Sequence, residues 1–279
     1  MKILVTGIKG QLGYDVMKQL EQRKVSCIGV DIDDFDLTDR DAVHRYITMN
    51  DPDAVIHCAA YTAVDKAEDD RDTCYAVNVN GTENIASICR EINAKMVYIS
   101  TDYVFDGIGD RAFEIDDRKD PKTYYGLTKS LGEDIVRKYL EKFFIVRTAW
   151  VFGKNGNNFV KTMLRLGSEK PELRVVSDQF GSPTYTEDLG RLVCDMIETN
   201  RYGIYHATNE GFCNWFEFAS EIMKQSGLGA KVLPVTSEEY PTKAIRPKNS
   251  RLSKESLDAN SFSRLPPWEN ALERYLDEN

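Results

Sequence analysis

Three glycines stand three residues apart in "VTGIKGQLG", directly after the apolar run "KILVT". A tight turn, close approach of a diphosphate and close packing of a helix on a sheet each exclude a Cβ, and Gly7, Gly10 and Gly13 supply the three gaps. The backbone N–H groups from Gly10 through Gln11 to Leu12 then open a helix and face an anion. The same glycines also occur in ordinary turns, so their meaning rests on the pattern of the chain beyond them.

That pattern is a regular alternation. "VSCIGV", "AVIH", "KMVYIS" and "FFIVR" are short apolar runs of the kind that form strands buried on both faces. Helical patterns at 11–23, 39–49, 72–93 and 124–140 separate them. Residues 1–150 therefore predict a doubly wound parallel sheet with right-handed crossovers, an α/β dinucleotide-binding domain. Beyond "RTAWVFG" the rhythm loosens. Helices are expected at 154–169, 184–200, 214–226 and 268–277, with strands in "LRVVS" and "IYHAT". Residues 151–279 predict a smaller, interleaved substrate lobe, with about 173–205 returning to the first domain.

Charge and cysteine usage narrow the partners. Against 45 acidic residues there are 36 basic ones, a net −9, and no Lys/Arg run builds a positive face. Nucleic acid and anionic membranes are poor partners for such a surface. Cys27, Cys58, Cys74, Cys89, Cys194 and Cys213 show no C-x-x-C spacing and read as reduced thiols of a cytoplasmic protein. With three histidines and no H-x-x-x-H, no metal site is expected. No apolar run has the length of a signal peptide or a membrane span.

The second strand ends at Asp31, whose carboxylate can accept from adenosine ribose hydroxyls or can simply close a turn. From Asp31 to Asp39 there are five aspartates and no basic residue, so a 2′-phosphate meets repulsion. The expected cofactor is NADH in preference to NADPH. Asp36 and Leu37 suit the adenine edge and face. After the third strand, the small Ala59 and Ala60 let the chain pass close to the cofactor, or pack tightly without one.

"ISTDYVFDG" puts Thr101 at the end of the fourth strand, where open parallel sheets bind ligands. "TYYGLTKS" then places Lys129 four residues after Tyr125, on one helix face, while Tyr124 is rotated away. A phenol titrates near ~10, and an adjacent ammonium lowers such a group by ~1–3 units, towards acid–base work at neutral pH. The expected chemistry is hydride transfer to a ketone, with Tyr125 donating the proton, Thr101 orienting the oxygen and Lys129 lowering the phenol pKa and holding the nicotinamide ribose. A Tyr/Lys pair on a helix surface is the bland alternative.

"TGIKGQLG", "STDYVFDG", "YGLTKSLGE", "RTAWVFG", "NNFVKTMLRL", "DQFGSPTY", "GIYHATNEG" and "RPKNSRL" together resemble the dTDP-4-dehydrorhamnose reductases, extended short-chain dehydrogenases/reductases with a Rossmann-like fold. The resemblance spans nearly the whole chain. It implies reduction of the 4-keto group of dTDP-6-deoxy-L-lyxo-4-hexulose to dTDP-L-rhamnose by a reduced nicotinamide. Thr101, Tyr125 and Lys129 match the catalytic residues. Gly10, Gln11, Leu12, Asp31, Asp36, Leu37, Ala60, Tyr61, Thr62 and Ile99 match cofactor contacts. Thr101, Asp102 and Trp150 match sugar contacts; an indole there covers the apolar face of a deoxysugar, or serves as a core Trp. Asn157, Asn158, Arg246 and Arg251 offer amides and guanidinium groups for a nucleotide diphosphate or base.

Ala149 stands where the family often has a serine. Some members are magnesium-dependent dimers with interface carboxylates; Asp15 and Glu187 fall near those positions, and both monomer and homodimer suit the residues. A sugar-nucleotide epimerase or 4,6-dehydratase shares the fold, but dehydratases usually follow the catalytic threonine with Asp-Glu, and here the pair is Asp102-Tyr103. A non-catalytic regulatory subunit, like the family's partner of S-adenosylmethionine synthetase, is the other alternative.

Overall fold

The computed structural model describes residues 1–278. Five of the apolar runs form strands β1 (Lys2–Thr6), β2 (Ser26–Val30), β3 (Ala54–His57), β4 (Lys95–Thr101) and β5 (Phe143–Thr148). Strands β6 (Glu172–Val176), β7 (Gly203–His206) and β8 (Lys231–Val235) come later in the chain. A six-stranded, all-parallel sheet has the order β7-β5-β4-β3-β1-β2. The order reverses between β3 and β1, which opens a crevice at their carboxyl ends.

Alternation along each strand feeds two cores, because successive side chains point to opposite faces. Ile3, Val5, Ile56, Val97 and Val146 pack beneath helices α1 (Gln11–Gln22) and α6 (Thr186–Ile197). Leu4, Val55, Met96, Tyr98 and Ile145 face α2 (Arg40–Asn50), α3 (Thr82–Glu91) and α4 (Tyr124–Tyr139). All four residues of β3 are buried, as a continuous apolar run on a two-sided sheet requires.

The lobe has its own core. Phe152, Met163, Leu173, Phe218, Ile222, Trp268 and Leu272 bring together β6, α5 (Phe159–Glu169), α7 (Trp215–Ser226) and α8 (Trp268–Asp277). Of the stretch expected to return at about 173–205, α6 and β7 lie on the main sheet, but β6 does not. It pairs with β8 in the lobe, in parallel, from Glu172↔Lys231 to Val176↔Val235.

The long helix expected at 72–93 is broken. A π-helical turn at Ala76–Gly81 separates a short helix, Arg71–Tyr75, from α3. The buried Asn78 in that turn explains it: its amide accepts from Tyr61 N (2.8 Å) and donates to Tyr61 O (3.1 Å) and Thr128 Oγ1 (3.0 Å). These tertiary bonds replace regular helix spacing, a pattern typical of π-turns beside functional sites.

Candidate active site

The glycine turn has the build of a phosphate cradle. Gly7 has φ +73°, and a Cβ at Gly7 would meet Ala59 N at 2.7 Å. A Cβ at Gly13 would meet Gly7 O at 2.2 Å, so only glycine lets α1 start this close to β1 and β3. The N-cap Gly10 provides no side-chain cap, and the first turn of α1 carries no acidic residue. The amides there face a cleft of about 650 Å³.

Gly7, Gly10, Gln11, Leu12 and Gly13 form the floor of that cleft, with Asp31 at one end. Ala59, Ala60, Thr62 and Ile99 also line it. Asp31 accepts from Lys9 N (2.8 Å) and from its neighbour Ile32 N (2.9 Å), which fixes the carboxylate at the end of β2. An annex of about 150 Å³ beyond it is lined by Phe35, Asp36, Leu37 and Val77. Tyr61 lies outside the lining; its hydroxyl donates to Asp70 at 3.1 Å.

Thr101, Asp102, Tyr125 and Lys129 line the opposite wall. Thr101 ends β4 and caps the short turn Asp102–Val104; its hydroxyl accepts from Tyr103 N (3.3 Å) and donates to Asp102 Oδ1 (3.0 Å). Thr123 caps α4 by accepting from Gly126 N at 3.0 Å. A Cβ at Gly126 would stand 2.3 Å from Tyr103 O. That missing side chain brings the first turn of α4, and Tyr125 with it, against the end of β4. Tyr124 turns outwards beneath Arg71, whose guanidinium lies 5.0 Å from its ring.

One electrostatic expectation is not met. No contact joins the Lys129 ammonium to the Tyr125 hydroxyl among the described residues; the ammonium lies 4.1 Å from the centre of the Tyr98 ring. Burial pushes the Tyr125 phenol well up, and a hydrogen bond with Thr101 only opposes it. Burial also pulls Lys129 down to about 7, with Glu133 one turn further along α4 pulling it back up. Desolvation outweighs pairing for both groups. Asp102 is driven up to about 6, chiefly by burial. Its Oδ2 and the hydroxyl of Thr148 are buried without a hydrogen-bond partner, and both residues line the cleft. Unpaired buried polar atoms in a cleft mark where a polar ligand belongs.

A second cavity of about 670 Å³ opens into the lobe. It shares Tyr103 and Trp150 with the first. Trp150 has φ +49°, unusual for a bulky residue, and stacks on Trp215 with ring centres 3.7 Å apart. Arg246 lines this second cavity, and Asn157 lines the first. Asn158 and Arg251 are placed differently from expectation. Asn158 caps α5, accepting from Lys161 N (3.0 Å), and its amide donates to Gln11 Oε1 (3.0 Å). Arg251 lines neither cavity and lies 4.4 Å over the Phe180 ring. Residues that sequence reading passed over include Lys9, Tyr103, Thr148 and Trp215. Tyr103 and Thr148 had a signal, since each sits beside a strand end; Lys9 and Trp215 had none.

The two carboxylates near the family's interface positions do not fit a resident magnesium ion. Lys18 supplies the cation, 3.4 Å from Glu187 Oε2 and 4.0 Å from Glu278 Oε2, while Asp15 accepts from the Thr186 hydroxyl. Among the described residues, no group of three or more His, Cys, Asp or Glu side chains is placed to hold a metal.

A doubly wound sheet, a glycine-floored crevice at its switch point and a Tyr-x-x-x-Lys helix define an extended short-chain dehydrogenase/reductase. The model of the RmlD substrate binding domain family matches residues 1–279. The chain is similar to the spore coat polysaccharide biosynthesis protein SpsK of Bacillus subtilis, 44% identical over 99% of this chain and 97% of that protein. A solved dTDP-4-dehydrorhamnose reductase from Clostridium acetobutylicum is 44% identical, with a TM-score of 0.98 over 100% of this chain and 99% of that one. Another, from Bacillus anthracis in complex with NADP, is 42% identical with a TM-score of 0.97 over the same shares. The chain belongs to the dTDP-4-dehydrorhamnose reductase family.

Proposed function

We propose that the two joined cavities hold a reduced nicotinamide dinucleotide and a dTDP-linked 4-keto-6-deoxy sugar, and that the chain reduces the 4-keto group of dTDP-6-deoxy-L-lyxo-4-hexulose to dTDP-L-rhamnose. The observation that carries this reading is the wall formed by Thr101, Tyr125 and Lys129 where the glycine-floored cleft meets the lobe cavity at Tyr103 and Trp150. The bound dihydronicotinamide supplies hydride to the carbonyl carbon. Tyr125 donates its proton to the carbonyl oxygen, and its raised pKa keeps the phenol protonated at neutral pH, the form a reduction consumes. Thr101 hydrogen-bonds the same oxygen and orients it. Lys129 holds the nicotinamide ribose, and in its charged form it favours the nearby phenolate electrostatically as that forms. The unpaired Asp102 Oδ2 accepts a sugar hydroxyl, and the Trp150 indole covers the apolar face of the deoxysugar.

In the lobe cavity, Lys170, Arg174 and Arg246 supply positive charge and Trp215 and Phe159 supply rings, a lining suited to a nucleoside diphosphate. NADH is the preferred cofactor and NADPH the second. Asp31 is placed to accept from the adenosine ribose, and the aspartates around it repel a 2′-phosphate. The exposed Lys9, paired with Asp33, tempers that repulsion and admits NADPH. The enzyme works in the cytoplasm as a monomer or homodimer. A dehydratase reading is disfavoured by Tyr103 in place of a second carboxylate, and net consumption of NADH separates an epimerase.

The test supplies dTDP-4-keto-6-deoxyglucose, the 3,5-epimerase and NADH, then identifies the product sugar. Formation of dTDP-L-rhamnose with one NADH consumed per sugar is the expected result. A different sugar, or turnover without net cofactor oxidation, would overturn the assignment.

A further inference from the structure

Residues 238–248 cross from the lobe to the first domain as a strap fastened at both ends. At one end Ser237 N and Oγ donate to Asp178 Oδ1 at 2.9 and 2.7 Å. At the other, Asn249 N donates to Gly107 O (2.9 Å) and Ser250 N to Phe180 O (2.7 Å). Between these anchors, Tyr240, Thr242, Arg246 and Pro247 roof the lobe cavity. Two of the strap's side chains also meet solvent: Tyr240 and Ile245 are 58% and 70% exposed.

One carboxylate of the first domain grips the strap at two points. Asp65, in the short helical turn Val64–Ala67, accepts from Ala244 N at 2.9 Å through Oδ1 and from the Arg246 guanidinium through Oδ2. Lys243 pairs with Asp69 alongside. The Arg246 guanidinium also donates to Tyr103 Oη at 3.1 Å. The Tyr103 ring in turn stands edge-on to Tyr125, with ring centres 5.6 Å apart and planes at 75°. A continuous chain of contacts therefore runs from the strap to the catalytic phenol.

We propose that Asp65 is a positioning residue: it latches the 238–248 strap over the sugar-nucleotide cavity and, through Arg246 and Tyr103, seats the ring of Tyr125. The inference rests on the reading that this cavity takes a sugar nucleotide. A carboxylate that grips a backbone N–H and a guanidinium together fixes both the path of the strap and the direction of its arginine. A half-buried ion pair with solvent on one side is individually weak, so the latch opens thermally and lets ligand enter and leave. Binding a dTDP sugar beneath Tyr240 and Arg246 favours the closed strap. Opening of such a segment falls on the microsecond-to-millisecond scale, faster than turnover of most enzymes.

The experiment compares wild type with Asp65→Asn, Asp65→Ala and Tyr103→Phe. Two readouts are taken: KM for the sugar nucleotide against KM for NADH, and the rate of tryptic cleavage after Lys243 with and without dTDP. The Asp65 variants should raise the sugar-nucleotide KM by about tenfold, leave the NADH KM unchanged and speed cleavage after Lys243. In wild type dTDP should slow that cleavage, and in the variants it should not. Asp65→Glu should restore part of both effects, and Tyr103→Phe, which removes only the hydroxyl that Arg246 reaches, should reproduce part of the KM change. Wild-type KM values together with wild-type cleavage rates in both Asp65 variants would overturn the latch. If wild type reduces no dTDP-4-keto sugar, the substrate reading fails instead, and the cleavage rates without ligand still decide whether Asp65 holds the strap.

Discussion

The Lys129 ammonium lies over the face of Tyr98, 4.1 Å from the ring centre, rather than against the Tyr125 hydroxyl one helical turn away. Both partners of the expected acid pair are buried, and burial penalises whichever form is charged. The phenol is held protonated, and the lysine, lowered to about 7, divides between ammonium and amine near neutrality. The group that titrates in the working range is thus the lysine. Facing it are Glu133, Cys58 and Cys74, which favour its charged form, and the Tyr98 ring.

The pH profile is set by that arrangement. A group with a lowered pKa loses its proton as pH rises through the lowered value, so kcat/KM should fall on the alkaline side with an apparent pKa near 7. Lys129→Arg, whose guanidinium stays charged, should remove that limb between about pH 6 and 9 even though its turnover is lower. A wild-type profile flat across that range would detach Lys129 from the chemistry.

Tyr125 and Tyr124 make a matched pair of controls. Tyr125→Phe removes the proton to be donated to the carbonyl oxygen and should lower kcat by roughly 10²–10⁴-fold, with NADH affinity nearly unchanged. Tyr124 faces outwards under Arg71, so Tyr124→Phe should leave kcat within about twofold. Steady-state kinetics and NADH titration by fluorescence separate the two. Substantial turnover in Tyr125→Phe would remove it as the acid.

Local signals in the chain reach a definite distance and stop. Gly7 and Gly13 announce the cradle because the steric demand is local, and Thr101 is legible because a strand end is a place in the fold. The alternation of β-branched runs gives the parallel sheet for the same reason. Pairing across long stretches of sequence leaves no such mark. Trp215 stacks on Trp150 from the far side of the lobe, Lys9 reaches Asp33 across 24 residues, and Asp65 grips Arg246 across 181. Asn158 looks like any amide in a loop until α5 is seen to begin on it. The Tyr125–Lys129 spacing does mark one helix face, but sequence says nothing of Tyr98, the nearer π-surface that β4 slides beneath that helix. The π-turn at Ala76–Gly81 has no periodic signature, since tertiary bonds from Asn78 create it.

Lys9 is the residue that tests the proposed cofactor choice. The aspartates from Asp31 to Asp39 repel a 2′-phosphate, yet the first loop places the Lys9 ammonium on Asp33, beside the Asp31 carboxylate that Lys9 N also holds. Lys9→Ala should raise the KM for NADPH several-fold while changing that for NADH little, because ribose hydroxyls do not need the cation. Asp31→Ala should do the reverse, weakening NADH more than NADPH. Initial rates with each cofactor give the ratio directly, and a Lys9→Ala enzyme with an unchanged ratio would exclude Lys9 from discrimination.

The most expensive electrostatics lie behind the site. Glu133, fully buried on α4 two turns beyond Tyr125, accepts from Arg147 Nε and Nη2, each at 2.8 Å, and from the Ser100 hydroxyl at 2.6 Å. Burial pushes this carboxyl up, but the bonds and charge of Arg147 outweigh it and leave the pKa below its ordinary value. Glu133→Gln leaves a guanidinium buried without its counter-charge and should cost roughly 3–5 kcal/mol. The pH dependence has a definite sign. A carboxylate with a lowered folded pKa stabilises fully above its unfolded value of 4.5 and loses that contribution as pH falls through the folded one. His57 and His206, both buried and lowered from 6.5 to about 3, act in the same direction but from higher pH, because the unfolded chain takes up their protons first. As pH falls, the melting temperature should therefore begin to drop near 6.5 and steepen below 4.5, whereas above about 7 the lowered Lys129 makes it rise with pH. Calorimetry across that range checks it. His206→Gln should make the decline between 6.5 and 4.5 shallower, His57 still contributing, and leave the steeper acid part in place; an unchanged curve would show that His206 already takes up its proton in the folded protein.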